Sequence, residues 1–377
     1  MSFGAQQTLS VRSNSKLVAP AAPPPPGIIP VEASDDVLRM HGFPPRPNKE
    51  TCPRRYANWE RLMSRPMTFV APEYASASRE DTSDPPIDPS ILSPPATVRR
   101  QHEKWSGAVN YLLKCGDIFQ HIEASWNVPG AYPHPNKYKT PTTWDASPSK
   151  YRSAIWVGID GSQTSHDVLQ AGTALRCDVD KEDGTLKQET VAWFEWYPED
   201  LVYLTKFKVQ PGDVITVMIY FDGVASLDGN CLAGGGRADG HSGDDGGVGQ
   251  GGDDGDRQKK QPTLEGHAIF VNESNSTYTS FTYNYTAPKT YYEFRGSTAE
   301  WILEGHHHVA VPNFGATFLY NCLATTAMNE ERDLDYAVLL DMVRNGRHVV
   351  TPVKVTSNIL GLYWGQGQST AHKVEGI

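Results

Sequence analysis

At 377 residues, with 38% hydrophobic and 21% charged residues, the chain has room for one large domain and an extension. It holds no run of the roughly 18 apolar residues that a membrane helix needs. Its net charge of −10 is unevenly shared: residues 1–104 carry 13 Lys and Arg against 11 Asp and Glu, the remainder 21 against 33. An acidic body of this kind repels nucleic acid and suits work at low pH, where protonation of its carboxylates relieves self-repulsion.

Residues 1–30 show no apolar core of the kind a secretory leader carries. From there to about residue 100 proline interrupts every periodic segment, in the run Pro23 to Pro26 and at Pro44, Pro45, Pro47, Pro85, Pro86, Pro89, Pro94 and Pro95. Proline removes a backbone donor and fixes φ, so residues 1–100 read as a mostly irregular extension with one helical island, Tyr56 to Met63. The extension closes on Arg99-Arg100, a pair that suits either a processing site or ordinary solvated charge.

Strand signals begin near Trp105 and recur with Gly, Pro and Asn between them. Candidate strands are Ile118 to Val128, Ser153 to Ile159, Ala192 to Tyr197 and Asp213 to Phe221. Residues 223–262 are rich in Gly and Asp and too poor in apolar surface to order themselves, so they read as an insertion between strands; calcium is a lesser alternative there. Further candidates are Gly266 to Val271, Thr277 to Tyr283, Ala299 to Glu304, Gly315 to Leu323, Val338 to Met342 and His348 to Val353. Asn345-Gly346 between the last two predicts a type I′ hairpin turn. Many short strands at this spacing predict an all-β fold, a sandwich of antiparallel sheets over residues 101–377.

Ala299 to Glu304, AEWILE, puts Glu300, Ile302 and Glu304 on one strand face and Trp301 and Leu303 on the other. Two carboxyls flanking an apolar residue suit a general acid or base of raised pKa, and equally an edge strand with solvated acids. Gln170 sits in the small, apolar run Val168 to Gly172. Asp160 ends the run that starts at Trp156 and suits a turn. Glu195 shares a face with Trp193 and Tyr197, where burial without a partner would be costly.

The five cysteines, Cys52, Cys115, Cys177, Cys231 and Cys322, form no CxxC pair, so a zinc or thioredoxin-type site has no support, whereas one or two disulfides remain open. Asn272, Asn275 and Asn284 head sequons for N-glycosylation. His306, His307 and His308 are successive strand-like residues that alternate faces, a poor arrangement for one metal ion. No metal or cofactor is expected.

Taken in order, WSGAV at Trp105, WNVP at Trp126, WVGIDG at Trp156, LQAG at Leu169, WFEWYP at Trp193, GDVI at Gly212 and AEWILE at Ala299 resemble the glutamic peptidases, or eqolisins, of fungi. The resemblance implies two antiparallel, lectin-like sheets and an acid endopeptidase that needs no cofactor. It also implies protein or peptide substrates, a monomer, an extracellular location, and residues 1–100 as a propeptide. It carries the family's catalytic glutamine to Gln170 and its glutamate to Glu304, with Glu300 as the second choice. Asp160, Glu195 and Trp156 would then support the pair. A non-catalytic, lectin-like module binding carbohydrate or protein is the alternative on fold alone.

Overall fold

The computed structural model describes residues 16–20, 22–76, 99–112, 116–134, 149–162, 167–222, 264–285, 294–306 and 308–365. The Gly- and Asp-rich insertion, with any calcium site in it, and His307 lie outside these residues. Before residue 99 come β1 (Lys16–Val18), α1 (Asp35–Met40), α2 (Pro53–Met63), β2 (Thr68–Phe69) and β3 (Tyr74–Ser76). Next are β4 (Arg99–His102), β5 (Trp105–Tyr111), β6 (Phe119–Asn127), β7 (Lys150–Asp160), β8 (Val168–Val179), β9 (Leu186–Tyr197), β10 (Val202–Lys208) and β11 (Val214–Asp222). The remainder gives β12 (Leu264–Asn272), β13 (Thr277–Tyr285), β14 (Thr298–Glu304), β15 (Ala316–Thr326), β16 (Glu331–Arg332), β17 (Ala337–Arg344), β18 (Arg347–Thr356) and β19 (Ile359–Trp364).

All nineteen strands join one hydrogen-bonded sheet, antiparallel except where β2 meets β13 and β4 meets β17. One run of neighbours is β3, β10, β9, β8, β7, β14, β5, β17 and β4. The other is β1, β13, β12, β11, β6, β15, β19 and β18. The β17–β18 hairpin links them, and it turns at Asn345 (φ 50°) and Gly346 (φ 71°), the positive φ values that a type I′ turn requires.

The main core draws on both runs. Ile155, Val157, Leu169 and Trp301 from the first pack with Ile122, Trp126, Val217 and Phe270 from the second. Two indoles bond from one run to the other, Trp126 Nε1 to Thr173 Oγ1 at 3.0 Å and Trp301 Nε1 to the Glu123 carbonyl at 3.0 Å. The alternate side chains of the first run build a separate apolar cluster on its opposite face, including Trp105, Val109, Trp156, Trp193, Tyr203 and Ile302. Because side chains alternate, that face also carries Gln170, Glu195, Glu300 and Glu304.

The N-terminal segment departs from the irregular extension expected of its prolines. Residues 16–76 hold three strands and two helices. Pro53 stands in the first turn of α2, where a missing N–H costs nothing, and Pro44, Pro45 and Pro47 lie outside the helices. Of the cysteines, Cys52, Cys177 and Cys322 are buried and unpaired, so among the described residues the disulfide expectation has no support.

Candidate active site

The strand carrying the two acids is not an edge. β14 runs between β5 and β7 and every residue of it is buried, so the solvated reading of Glu300 and Glu304 fails. Glu300 is 0% and Glu304 7% exposed. Each has a local hydrogen-bond donor: Thr298 Oγ1 lies 2.9 Å from Glu300 Oε1, and Trp156 Nε1 lies 3.1 Å from Glu304 Oε2.

Register decides which acid stands level with the glutamine. Glu300 pairs with Gly158, Gly158 with Gln170, and Gln170 with Glu195. Glu304 pairs instead with Ala154, which pairs with Ala174. The four residues separating the two acids amount to about 13 Å along the strand at a rise of ~3.3 Å each. Gln170 and Glu300 thus stand at one level on either side of Gly158, whose missing side chain leaves room for the edge of the Trp156 ring. A Cβ on Gly158 would come within 3.3 Å of Gln170 Cβ and 2.8 Å of the Trp156 ring.

Gln170 is 2% exposed. Its Nε2 donates to Glu195 Oε2 at 2.5 Å, which orients the amide, while its Oε1 is buried without a hydrogen-bond partner. An amide nitrogen carries two N–H groups, so one remains for a ligand after the bond to Glu195. Gly172, two residues on in the same motif, serves packing: a Cβ there would lie 2.0 Å from the Ile155 carbonyl oxygen on β7.

Asp160 sits at the end of β7 with φ 66°, fully buried. Its carboxylate accepts from Arg295 N at 2.6 Å, Gly296 N at 2.8 Å, Ser297 N at 2.7 Å and Ser297 Oγ at 2.9 Å. It therefore fixes the segment that enters β14. Burial pushes the Asp160 carboxyl upward and these donors offset part of that. Burial also holds the Glu300 carboxyl well above the ordinary glutamate range, reinforced by the neighbouring charges of Asp160 and Glu304 and opposed by the Thr298 hydroxyl.

Beside Glu304 the same face opens into a small depression lined by Ala154, Ala174, Trp193, Leu201 and His306. Two groups near the acids escape a reading by sequence. Thr298 lies two residues before Glu300 and so on its face, a relation that strand alternation could have supplied. Arg344 donates to the Val309 carbonyl at 3.0 Å and interacts with the Glu304 charge while burial lowers its own pKa; nothing local in the sequence links it to β14. The sequon asparagines differ in setting. Asn275 is exposed and Asn284 partly so, but Asn272 is 0% exposed and its Nδ2 donates to Asp213 at 2.8 Å and the Lys208 carbonyl at 3.3 Å, a use at odds with a glycan at that position.

The first strand run thus buries an amide and three carboxyls, Gln170 with Glu195, Glu300 and Glu304, on one tryptophan-rich face. Residues 103–226 and 258–360 match the Peptidase A4 family, and the chain belongs to that family. It is 27% identical over 164 residues to Aspergillopepsin-2 of Aspergillus niger, a match covering 38% of this chain and 52% of that enzyme. The chain thus spans about half the length of that curated relative. Among solved structures it is similar to scytalido-glutamic peptidase bound to a transition state analog inhibitor, at 19% identity and TM-score 0.45, covering 70% of this chain and 98% of that one. It is also similar to aspergilloglutamic peptidase from Aspergillus niger, at 20% identity and TM-score 0.38, covering 57% and 99%.

Proposed function

We propose that the chain is an endopeptidase that hydrolyses peptide bonds in proteins through Gln170 and Glu300, on a two-layered, lectin-like arrangement of its two strand runs. The observation that carries this reading is the register Glu300, Gly158, Gln170, Glu195. Ionised Glu300 takes a proton from the attacking water, then returns it to the departing amine, as general base followed by general acid. The second N–H of Gln170 donates to the carbonyl oxygen as it becomes an oxyanion, a contribution of roughly 100 to 1000-fold in rate.

Glu195 holds the amide so that its free N–H points one way, and it does so with an acceptor that a glutamine nitrogen needs. Burial makes ionised Glu300 a stronger base than a solvated glutamate, since the proton it captures is held more tightly. Trp156 and Glu304 flank this centre, and the depression beside Glu304 would take part of an extended substrate. The substrates proposed are proteins and peptides, and the location proposed is extracellular, as expected from the family.

The test is cleavage of a denatured protein by the full chain at pH 3 and pH 7, with Gln170→Ala and Glu300→Gln alongside. The expected result is wild-type cleavage that rises from pH 3 to pH 7, as the raised Glu300 carboxyl ionises, and that either substitution lowers by at least ~100-fold. Equal rates for wild type and both variants would sink the proposal.

A further inference from the structure

The segment ahead of residue 77 is the part of the chain that the mechanism does not use, and its contacts are those of a core. Leu38, Phe43, Trp59, Leu62, Met63 and Met67 are all 5% exposed or less, packed on Met218, Ile269, Val271 and Tyr278 of β11, β12 and β13. Trp59 Nε1 donates to the Pro44 carbonyl at 3.0 Å, and the Tyr278 hydroxyl donates to the His41 carbonyl at 2.9 Å. Removing the segment would expose this apolar floor.

Its polar contacts end on carboxyls, buried at Glu123 and Asp333 and half-buried at Glu273 and Glu331. Asn58 Nδ2 donates to Glu123 Oε1 at 2.6 Å, where Glu123 is 3% exposed. The Arg55 amide donates to Glu331 at 2.8 Å, Arg54 to Asp333 at 2.6 Å, and Arg61 makes two bonds to Glu273, at 2.5 and 3.3 Å. Ladder bonds add to these: β1 and β2 pair with β13 of one strand run, β3 with β10 of the other. The segment therefore ties both runs, and its loss would leave these carboxyls without their donors.

The dibasic pair is equally committed. Arg99 and Arg100 lie in β4, paired with Leu339 and Leu340 of β17. Arg99 Nη1 reaches both Asp341 oxygens, at 2.8 and 2.9 Å, and its Nη2 donates to the Pro352 carbonyl at 2.7 Å. A cut after Arg100 would carry away this partner of a carboxyl whose side chain is 3% exposed.

We propose that residues 34–70 are a permanent structural subunit of the folded protein, held on the outer face of β6, β11, β12 and β13, and that Arg99-Arg100 is a structural pair and no maturation site. The surface is thus an interface whose partner is this chain's own N-terminal segment, whether or not the connection to β4 is intact. It stands independently of the peptidase reading, because its tests need no activity.

A specific protease site placed at Pro85-Pro86 of the full chain allows the connection to be cut at will. After cutting, the two fragments should co-elute one to one in size exclusion and unfold in a single transition. In a cut chain carrying Trp59→Ala, the fragment should dissociate at least ~100-fold more readily, the equivalent of losing a large buried aromatic; circular dichroism of the uncut variant verifies its fold. Release of the N-terminal fragment from a remainder that keeps its circular dichroism and melting temperature would overturn the proposal. So would a mature protein that begins at residue 101, or unchanged retention in Trp59→Ala.

Discussion

Glu300→Gln and Glu304→Gln separate the two acids of β14 by geometry. Gln170 and Glu300 sit two strands apart at one level, about 10 Å between backbones at a strand spacing of ~4.8 Å, with the edge of the Trp156 ring reaching over Gly158 between them. Glu304 lies a further ~13 Å down the strand, roughly 16 Å from the Gln170 backbone against about 10 Å for Glu300. Glu300→Gln should therefore lower kcat/KM by about 100 to 10,000-fold, which is about 3 to 5 kcal/mol of barrier. Glu304→Gln should cost less than about tenfold and move the acid limb of the pH profile downward, because the Glu304 charge is one of those raising the Glu300 carboxyl.

The same substitution tests the buried carboxyl by stability. The folded-state pKa of Glu300 lies above its unfolded value, so folding binds a proton, and the stability this group contributes is complete below the ordinary glutamate range and lost as pH rises through the raised value. Glutamine cannot titrate, so thermal melts of Glu300→Gln between pH 5 and pH 8 should show a flatter pH dependence than wild type. The assay pair is initial rates on a denatured protein from pH 3 to 7 and melting temperature from pH 5 to 8. Glu304→Gln inactive with Glu300→Gln fully active would refute the register argument and return the base to Glu304.

Gly158→Ala would place a methyl group 2.8 Å from the buried Trp156 ring and 3.3 Å from Gln170 Cβ, so it should cost ~1–3 kcal/mol of stability and lower kcat/KM as well, read by melting temperature and initial rates. Asp160→Ala removes an acceptor of four hydrogen bonds and should cost at least ~2 kcal/mol in urea unfolding, with faster amide exchange at Arg295 to Ser297. Trp156→Phe leaves Glu304 without its indole donor and should cost ~1–3 kcal/mol while sparing most of kcat if Glu300 is the base.

Much of this architecture was legible in local pattern. The apolar runs ending at Asp160 and Tyr197 and the Asn345-Gly346 hairpin follow from alternation and turn chemistry, which act over a few residues. β10 and β19 were not among the expected strands: a register shift interrupts β10 between Tyr203 and Lys208, which breaks its alternation, and β19 is short with Gly361 inside it. The proline-rich start was legible in part: the island Tyr56 to Met63 is helical, within α2, but proline, which forbids helix interiors and ladder donors, says nothing of whether Trp59, Leu62 and Met63 find a surface to cover.

By itself, then, the sequence determined the strand-built class, the family, and which face of β14 its acids share, since a period of two assigns every side chain to a side. Which acid stands level with Gln170 was decided by tertiary structure alone. Three strands from distant parts of the chain set Glu300, Gly158 and Gln170 in one row, and pairing register is a property of the folded sheet that no single strand encodes.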